Sequence, residues 1–352
     1  MAEDGTGDAV MPGDETDQGT QVRPGESVTI YDVAKLAGVN PSTVSRALNR
    51  PGRVSAATEK RIRAAAETLN YQVNPMARAL PTGRTSIIGL VVSDITNPVF
   101  FDIVRGAETA ATRSGYTLVL TESEESEERE YERAERMMRM LDGLLLATPR
   151  MSDEHIRALA GQKHVAVVNR EVSDVLSVVP DASEGIAEAV RHLRGLGHSR
   201  LAYVPGPALS WMARRRGELL ARRCEWAHIE LVQLDPVAPT VAGGRTAARA
   251  VRDSGATAVV AYNDLIAIGL MQELVEAGVR IPTDLSVIGF DDIFGADFTS
   301  PSLTTIKSPL RETGDHAMTA LLALVAGDRV PRLGIDLDTT LVVRGSTGAA
   351  PA

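Results

Sequence analysis

Between Pro41 and Asn49 the chain reads PSTVSRALN, which at helical spacing puts Ser42, Thr43, Ser45, Arg46 and Asn49 on one side and Val44, Ala47 and Leu48 on the other. Short hydroxyl side chains beside a guanidinium, at a helix start, reach phosphate oxygens and the hydrogen-bonding edges of bases. Such a face suits a major groove. The preceding stretch, TIYDVAKLAGVN, carries Val33, Ala34 and Ala37 at helical spacing and then Gly38, the mark of a tight turn between two helices. Asn40 is placed to cap the second helix, and Pro41 suits its first position. Ile62, Ala65, Ala66 and Leu69 give the pattern of a third helix.

A polyanion-binding face sits oddly on a chain of net charge −9 until the charge is divided along the sequence. Residues 1–26 hold seven Asp/Glu and one Arg, net −6; residues 27–84 hold nine Lys/Arg and three Asp/Glu, net +6; the remainder is −9. A basic module of about sixty residues thus lies between an acidic tail and an acidic body, the footprint of phosphate binding. Residues 1–27, rich in Gly, Asp, Glu and Thr, are expected to be disordered. The single cysteine, Cys224, forms no internal disulfide and has no cysteine partner for zinc. No apolar run reaches a membrane span and the N-terminus is no signal peptide, so a cytoplasmic protein is expected, with no membrane partner.

Downstream of PTGRT (Pro81–Thr85), which reads as a linker, the texture changes. Apolar runs at 87–92, 117–121, 143–147, 165–169, 201–204, 258–262 and 286–290 alternate with helical stretches such as Phe100–Ser114, Ser183–Leu196 and Leu265–Ala277. Continuous apolar strands between helices predict parallel sheet covered on both faces, and about 260 residues of it predict two doubly wound subdomains. The acidic run ESEESEERE (122–130) reads as a solvated loop and helix start.

The segment TVSRALN and its glycine turn resemble the helix-turn-helix domain of the lactose-repressor family of bacterial transcription regulators, and the likeness extends from Thr29 to about Gly345. It implies a helix-turn-helix domain over 28–73, a hinge helix and linker over 74–84, an effector-binding and dimerisation body over 85–346, similar to periplasmic sugar-binding proteins, and a short tail over 347–352. By the resemblance Tyr31 touches DNA from the first helix, Pro41, Ser42 and Arg46 fall where bases are read, and Thr43, Ser45 and Asn49 where phosphates are held. Pro41 has no side-chain donor or acceptor, leaving direct readout to Ser42 and Arg46. NPMARAL (74–80) matches the family's hinge helix, with Asn74 as cap, Ala77 in the minor groove and Leu80 as the wedge at the operator centre. A helix of this length does not stand alone in water, so it is expected to form only on DNA.

In the body, the resemblance implies a small polar ligand between the subdomains. Asp94, Asn97 and Phe100 come from the first; Asn169, an arginine of SWMARRRGELL, Asn263 and Asp291 come from the second. Arg216 keeps the spacing from GP..S and is the preferred arginine; Arg214 keeps an R-x-x-G spacing and is the other choice, and Trp211 is a candidate stacking wall. Each of several has a plainer role open to it: Asp94 and Asn97 as turn residues, Asn169 as a backbone partner, Phe100 as core, Asp291 as a helix cap.

An enzyme is disfavoured: no G-x-G-x-x-G follows the first strand, there is no P-loop or nucleophile elbow, and the six histidines are scattered singly. The expected partners are palindromic double-stranded operator DNA, a second copy of the chain and a small effector. A sugar is the first choice and a non-sugar metabolite the alternative, with no cofactor and no metal.

Overall fold

Thr29 starts the first helix by gripping Asp32: its hydroxyl and its backbone N–H both donate to Asp32 Oδ2, at 2.6 and 2.8 Å, and hold that carboxyl below its ordinary range. Helix α1 (Ile30–Ala37) stops at Gly38, whose φ of +64° is the left-handed conformation that a side chain resists. The carbonyl of Asn40 then takes the N–H groups of Thr43 and Val44, opening α2 (Pro41–Asn49). Ser55 accepts from the Thr58 N–H and opens α3 (Ala56–Thr68). The three helices close on Val33, Ala34, Ala37, Val44, Ala47, Ile62, Ala65 and Ala66, with Leu48 and Leu69 half-buried against them, as the spacing predicts.

The computed structural model describes residues 28–49, 52–71, 84–330 and 337–351. The acidic tail and the hinge residues Asn74, Ala77 and Leu80 lie outside them. The chain divides into a unit ending at Gly83 and a second unit, Arg84–Ala352.

In the second unit β1 (Ile87–Val92), α4 (Val99–Arg113), β2 (Thr117–Glu122), α5 (Glu127–Met138), β3 (Gly143–Ala147), α6 (Asp153–Ala160), β4 (His164–Val168) and β5 (Leu176–Val178) build the first subdomain. Its sheet is wholly parallel, in the order β2-β1-β3-β4-β5. The chain then crosses into α7 (Ser183–Gly195), β6 (Arg200–Val204), α8 (Trp211–Trp226), β7 (Glu230–Gln233), α9 (Val241–Asp253), β8 (Ala258–Ala261), α10 (Asp264–Glu276), β9 (Ser286–Asp291) and β10 (Thr304–Lys307). It returns through α11 (Leu310–Ala326), which packs on α4, and comes back to add β11 (Thr340–Val342) to the second sheet. That sheet runs β11-β10-β9-β8-β6-β7, and β11 lies antiparallel to β10, a departure from the all-parallel expectation. A strand arriving at a sheet edge from the other subdomain needs no crossover helix and is free to pair antiparallel. Strands β5 and β7, which no apolar run announced, are edge strands with half-exposed side chains.

Each subdomain seats one helix pair unusually close. A Cβ on Gly106 of α4 would strike the Arg311 carbonyl of α11, and one on Gly314 of α11 would strike the Ile103 carbonyl of α4. The acidic run is more than a solvated face. Ser126 caps α5, and Glu130 in its first turn is fully buried.

Candidate functional site

The helical unit presents one polar face. Tyr31 on α1 is 70% exposed, Ser42 and Arg46 stand exposed one turn apart on α2, and Pro41, Thr43 and Ser45 are half-buried beside them. Arg46 Nε donates to the Ser42 carbonyl at 3.1 Å, which aims its guanidinium along the helix start. Asn49 is the last residue of α2. Arg53, Lys60, Arg61 and Arg63 are exposed as well, so the unit's positive charge is at its surface.

In the body, Asn97, Phe100, Asn169, Arg216, Asn263 and Asp291 converge on one cleft between the subdomains. Asn97, Asn169, Asn263 and Asp291 lie at the carboxyl ends of strands or in the turns that follow, where open α/β sheets bind ligands, and Phe100 and Arg216 lie in the first two turns of helices α4 and α8. Asn97 precedes α4 and its Oδ1 accepts from the Val99 N–H at 3.1 Å. Phe100 is on the first turn of α4, 3% exposed. Asn169 follows β4 with φ +62°, and since β4 belongs to the first sheet, Asn169 comes from the first subdomain and not, as expected, from the second. Asn263 caps α10 through Oδ1 and donates from Nδ2 to the Pro239 carbonyl, so both ends of its amide are engaged.

Arg216 and Asp291 form the centre of the second wall. Arg216 Nη2 meets Asp291 Oδ1 at 2.7 Å, Nη1 donates to the Tyr262 carbonyl at 2.8 Å, and the guanidinium lies 3.5 Å from the Phe290 ring centre. Both side chains are nearly inaccessible, at 7% and 6% exposed. Burial works against the charge of Arg216, and Asp291 together with Tyr262 and Tyr203 outweighs it, so the guanidinium stays charged. Burial pushes the Asp291 carboxyl up, with Arg216 pulling the other way. Behind them Asp264, driven well up by burial and by Asp291, accepts from Thr305 Oγ1 and the Ile293 N–H, fixing the loop on which Asp291 holds φ +106°.

Three residues placed in the cleft by the resemblance lie elsewhere. Asp94 Oδ1 accepts from the N–H and hydroxyl of Thr96, closing a turn of its own. Trp211 packs half-buried against the core, and Arg214 donates to the Ala208 carbonyl on the outer side of α8. The reason is the 100° step of a helix. Met212 and Arg216, four apart, share the cleft-facing side, and neither Trp211 nor Arg214 falls on it. Arg216 is therefore the cleft arginine.

The sequence reading missed Glu125, Thr148, Arg150, Met212 and Tyr262, which also line the cleft. A signal existed for two of them: Thr148 and Arg150 follow an apolar strand, the position that singled out Asn169. The cleft as it stands is tightly filled. Its lining leaves a free volume of about 20 Å³, room for roughly one water.

Two family models match the chain: "Bacterial regulatory proteins, lacI family" over residues 29–74 and "Periplasmic binding protein-like domain" over residues 190–347. The transcriptional repressor PurR of Photobacterium profundum is 32% identical, over 90% of this chain and 98% of that one; the repressor CytR of Escherichia coli is 32% identical, over 92% and 98%. Among solved structures, the Lac repressor dimer bound to operator superposes with a TM-score of 0.82 at 27% identity, covering 92% of this chain and all of the other. A cellobiose complex of the transcriptional regulator CelR gives 0.67 at 27%, covering 91% and 99%. These relatives are regulators of transcription and not enzymes, and repressors of their kind bind operator DNA as dimers and answer to small molecules. The chain belongs to the lacI family of bacterial regulatory proteins and is a DNA-binding transcription regulator.

Proposed function

We propose that this chain is a homodimeric repressor of carbohydrate-utilisation genes, released from or fixed on a palindromic operator by a small sugar-like effector in the body's cleft. The observation that carries the reading is the buried Arg216–Asp291 pair beside Asn97, Asn169 and the rings of Phe100 and Tyr262. Guanidinium, carboxylate and amides serve vicinal hydroxyls, and an aromatic face serves the apolar side of a sugar ring. Two similar structures support it: one holds cellobiose and another, a regulator from Enterococcus faecium 30% identical to this chain, holds ribose. On the DNA side, Ser42 and Arg46 read bases from α2, Tyr31, Pro41, Thr43, Ser45 and Asn49 support them, and Asn74, Ala77 and Leu80 engage the minor groove.

An aromatic face supports the homodimer. Phe101, Phe294 and Phe298 are 44%, 73% and 70% exposed, Phe294 and Phe298 meet edge to face at 5.1 Å and Phe101 lies across the same hollow from Phe294, a cluster of rings that suits a protein interface.

The test is a thermal-shift panel of sugars and nucleosides, followed by operator binding with any hit. A ligand at a hundred times its Kd adds about 2.7 kcal/mol of stability. A sugar that both stabilises the body and changes operator affinity is the expected result; a hit whose effect on operator binding survives Asp291→Asn removes the cleft assignment.

A further inference from the structure

The acidic run from the end of β2 into the first turn of α5 wraps the loop that follows β3. Glu130 Oε2 accepts from the backbone N–H groups of Arg150 and Met151, at 2.6 and 2.7 Å, and Glu127 Oε1 accepts from the Ser152 N–H at 3.0 Å. Glu125 reaches the cleft itself, where its two oxygens take Arg150 Nε and Nη2 at 2.7 and 3.2 Å. The other terminal nitrogen of Arg150 donates to the Thr148 carbonyl at 2.7 Å. Glu124 and Glu125 hold φ of +53° and +57°, a pair of left-handed residues without a glycine, which persists only where the surroundings impose it.

The two partners of this ion pair differ in one decisive respect. The Arg150 side chain is 4% exposed and that of Glu125 is 26% exposed. Glu125 sits on a loop beside solvent and regains hydration by a small swing; Arg150 has no such exit and always needs an anionic partner. With about 20 Å³ free, far less than a sugar fills, a ligand enters as the walls part or a lining side chain gives way. Arg216, Asp291 and Asn263 are buried and bonded in place, which leaves Glu125 as the side chain that yields.

We propose that Glu125 is a built-in stand-in for an anionic group of the effector: a carboxylate or phosphate on the ligand takes over Arg150 Nε and Nη2 as Glu125 swings to water. A planar, bidentate guanidinium matches either group. A neutral hydroxyl in the same place leaves the buried cation only Glu130, whose carboxyl is already spent on two backbone N–H groups. This rests on the cleft being the effector site, and it narrows a sugar-like effector to a sugar acid or a sugar phosphate.

The experiment is calorimetric titration of the full chain, wild type and Glu125→Gln, with matched ligands: glucose, gluconate and glucose 6-phosphate, ribose and ribose 5-phosphate, and inorganic phosphate as the minimal probe. Glutamine keeps the shape and one acceptor for Arg150 but removes its counter-charge, so the ligand-free variant is expected to melt earlier than wild type and to be restored by phosphate and not by glucose; a variant whose melting is indifferent to phosphate overturns the proposal. The charged member of a pair is expected to bind at least about tenfold tighter than its neutral parent. Glu125→Gln is expected to tighten the charged ligand and inorganic phosphate by about tenfold more, and to leave the neutral one unchanged. A neutral parent that binds as tightly as its charged partner overturns the charge assignment and leaves the cleft as effector site. A Glu125→Gln chain that binds inorganic phosphate no better than wild type overturns it too, whichever sugar is the native effector. Binding that is indifferent to Asp291→Asn overturns both readings together.

Discussion

In the helical unit the charged and polar groups stand in water over a core built largely of alanine and valine; in the body Arg150, Arg216 and Asp291 are buried where the subdomains meet, with Glu125 half-buried beside them. Tyr31, Ser42 and Arg46 touch little of their own chain. Arg216, by contrast, is bonded to Asp291 and Tyr262 and faces Phe290. A surface meant for a large, pre-shaped polyanion is left exposed and ready, because DNA supplies both the shape and the charge. A pocket for a small molecule has to supply both itself. Until the ligand comes, its charges must be satisfied internally.

That contrast is open to breakage, the largest effect first. Arg216→Ala leaves Asp291 buried without a partner, and the body is expected to lose about 3–5 kcal/mol in denaturant unfolding. Arg214→Ala, two residues away on the outer side of α8, should stay within about 0.5 kcal/mol of wild type. Equal losses would show that burial does not separate the two arginines. Ile62→Ala removes the largest fully buried side chain of the helical core, at a cost of about 2–5 kcal/mol. Two melting transitions should then separate, with operator binding lost and effector binding kept; a single cooperative transition that carries both down would contradict the independence of the two units.

Glu130 sharpens the comparison by pH. Burial lifts its carboxyl to about 7 from an ordinary 4.5, against the pull of the two backbone N–H groups and of Arg150 and Arg170. The folded chain therefore keeps this proton at a pH where the unfolded chain has lost it. Its contribution to stability is complete below about pH 4.5 and declines as pH climbs to about 7, opposite in sign to a salt-bridged carboxylate, by up to about 3 kcal/mol. Glu130→Gln should flatten that decline, and an unchanged pH profile would remove Glu130 from it. The helical unit has no buried carboxylate among its described residues and should show no such window.

The smallest effect tests the exposed face alone. Arg46→Ala is expected to weaken operator binding by about 1–3 kcal/mol while the melting temperature barely moves. Equal losses on operator and on random DNA would assign Arg46 to phosphate and not to a base.

The helical unit was legible residue by residue because its function is local. Gly38, Pro41 and the hydroxyl-rich face fall within one helix-turn-helix, and helical spacing alone says which side points out. The cleft was legible only in part. Asn97, Phe100, Asn169, Arg216, Asn263 and Asp291 sit at strand ends or in the first turns of helices, and the structure gathers them; Asp94, which opens the turn after β1, spends its carboxylate on Thr96. Whether a strand-end residue faces the ligand depends on a rotation about the chain that spacing does not record.

From its sequence alone this protein had a basic reading helix, an acidic body of alternating strands and helices, and therefore a family, because periodicity and charge are properties of order along the chain. The tertiary structure alone decided that Arg216 and not Arg214 enters the cleft, that β11 closes its sheet antiparallel, and that an acidic run first read as solvated sends Glu125 to the cleft and Glu130 under the loop after β3. Each of those depends on what lies opposite in space. Glu125 and Arg150 are 25 residues apart in sequence, and only the parallel pairing of β1 with β2 and β3 brings their loops to the same edge of the sheet, where burial turns two ordinary charges into a single ion pair.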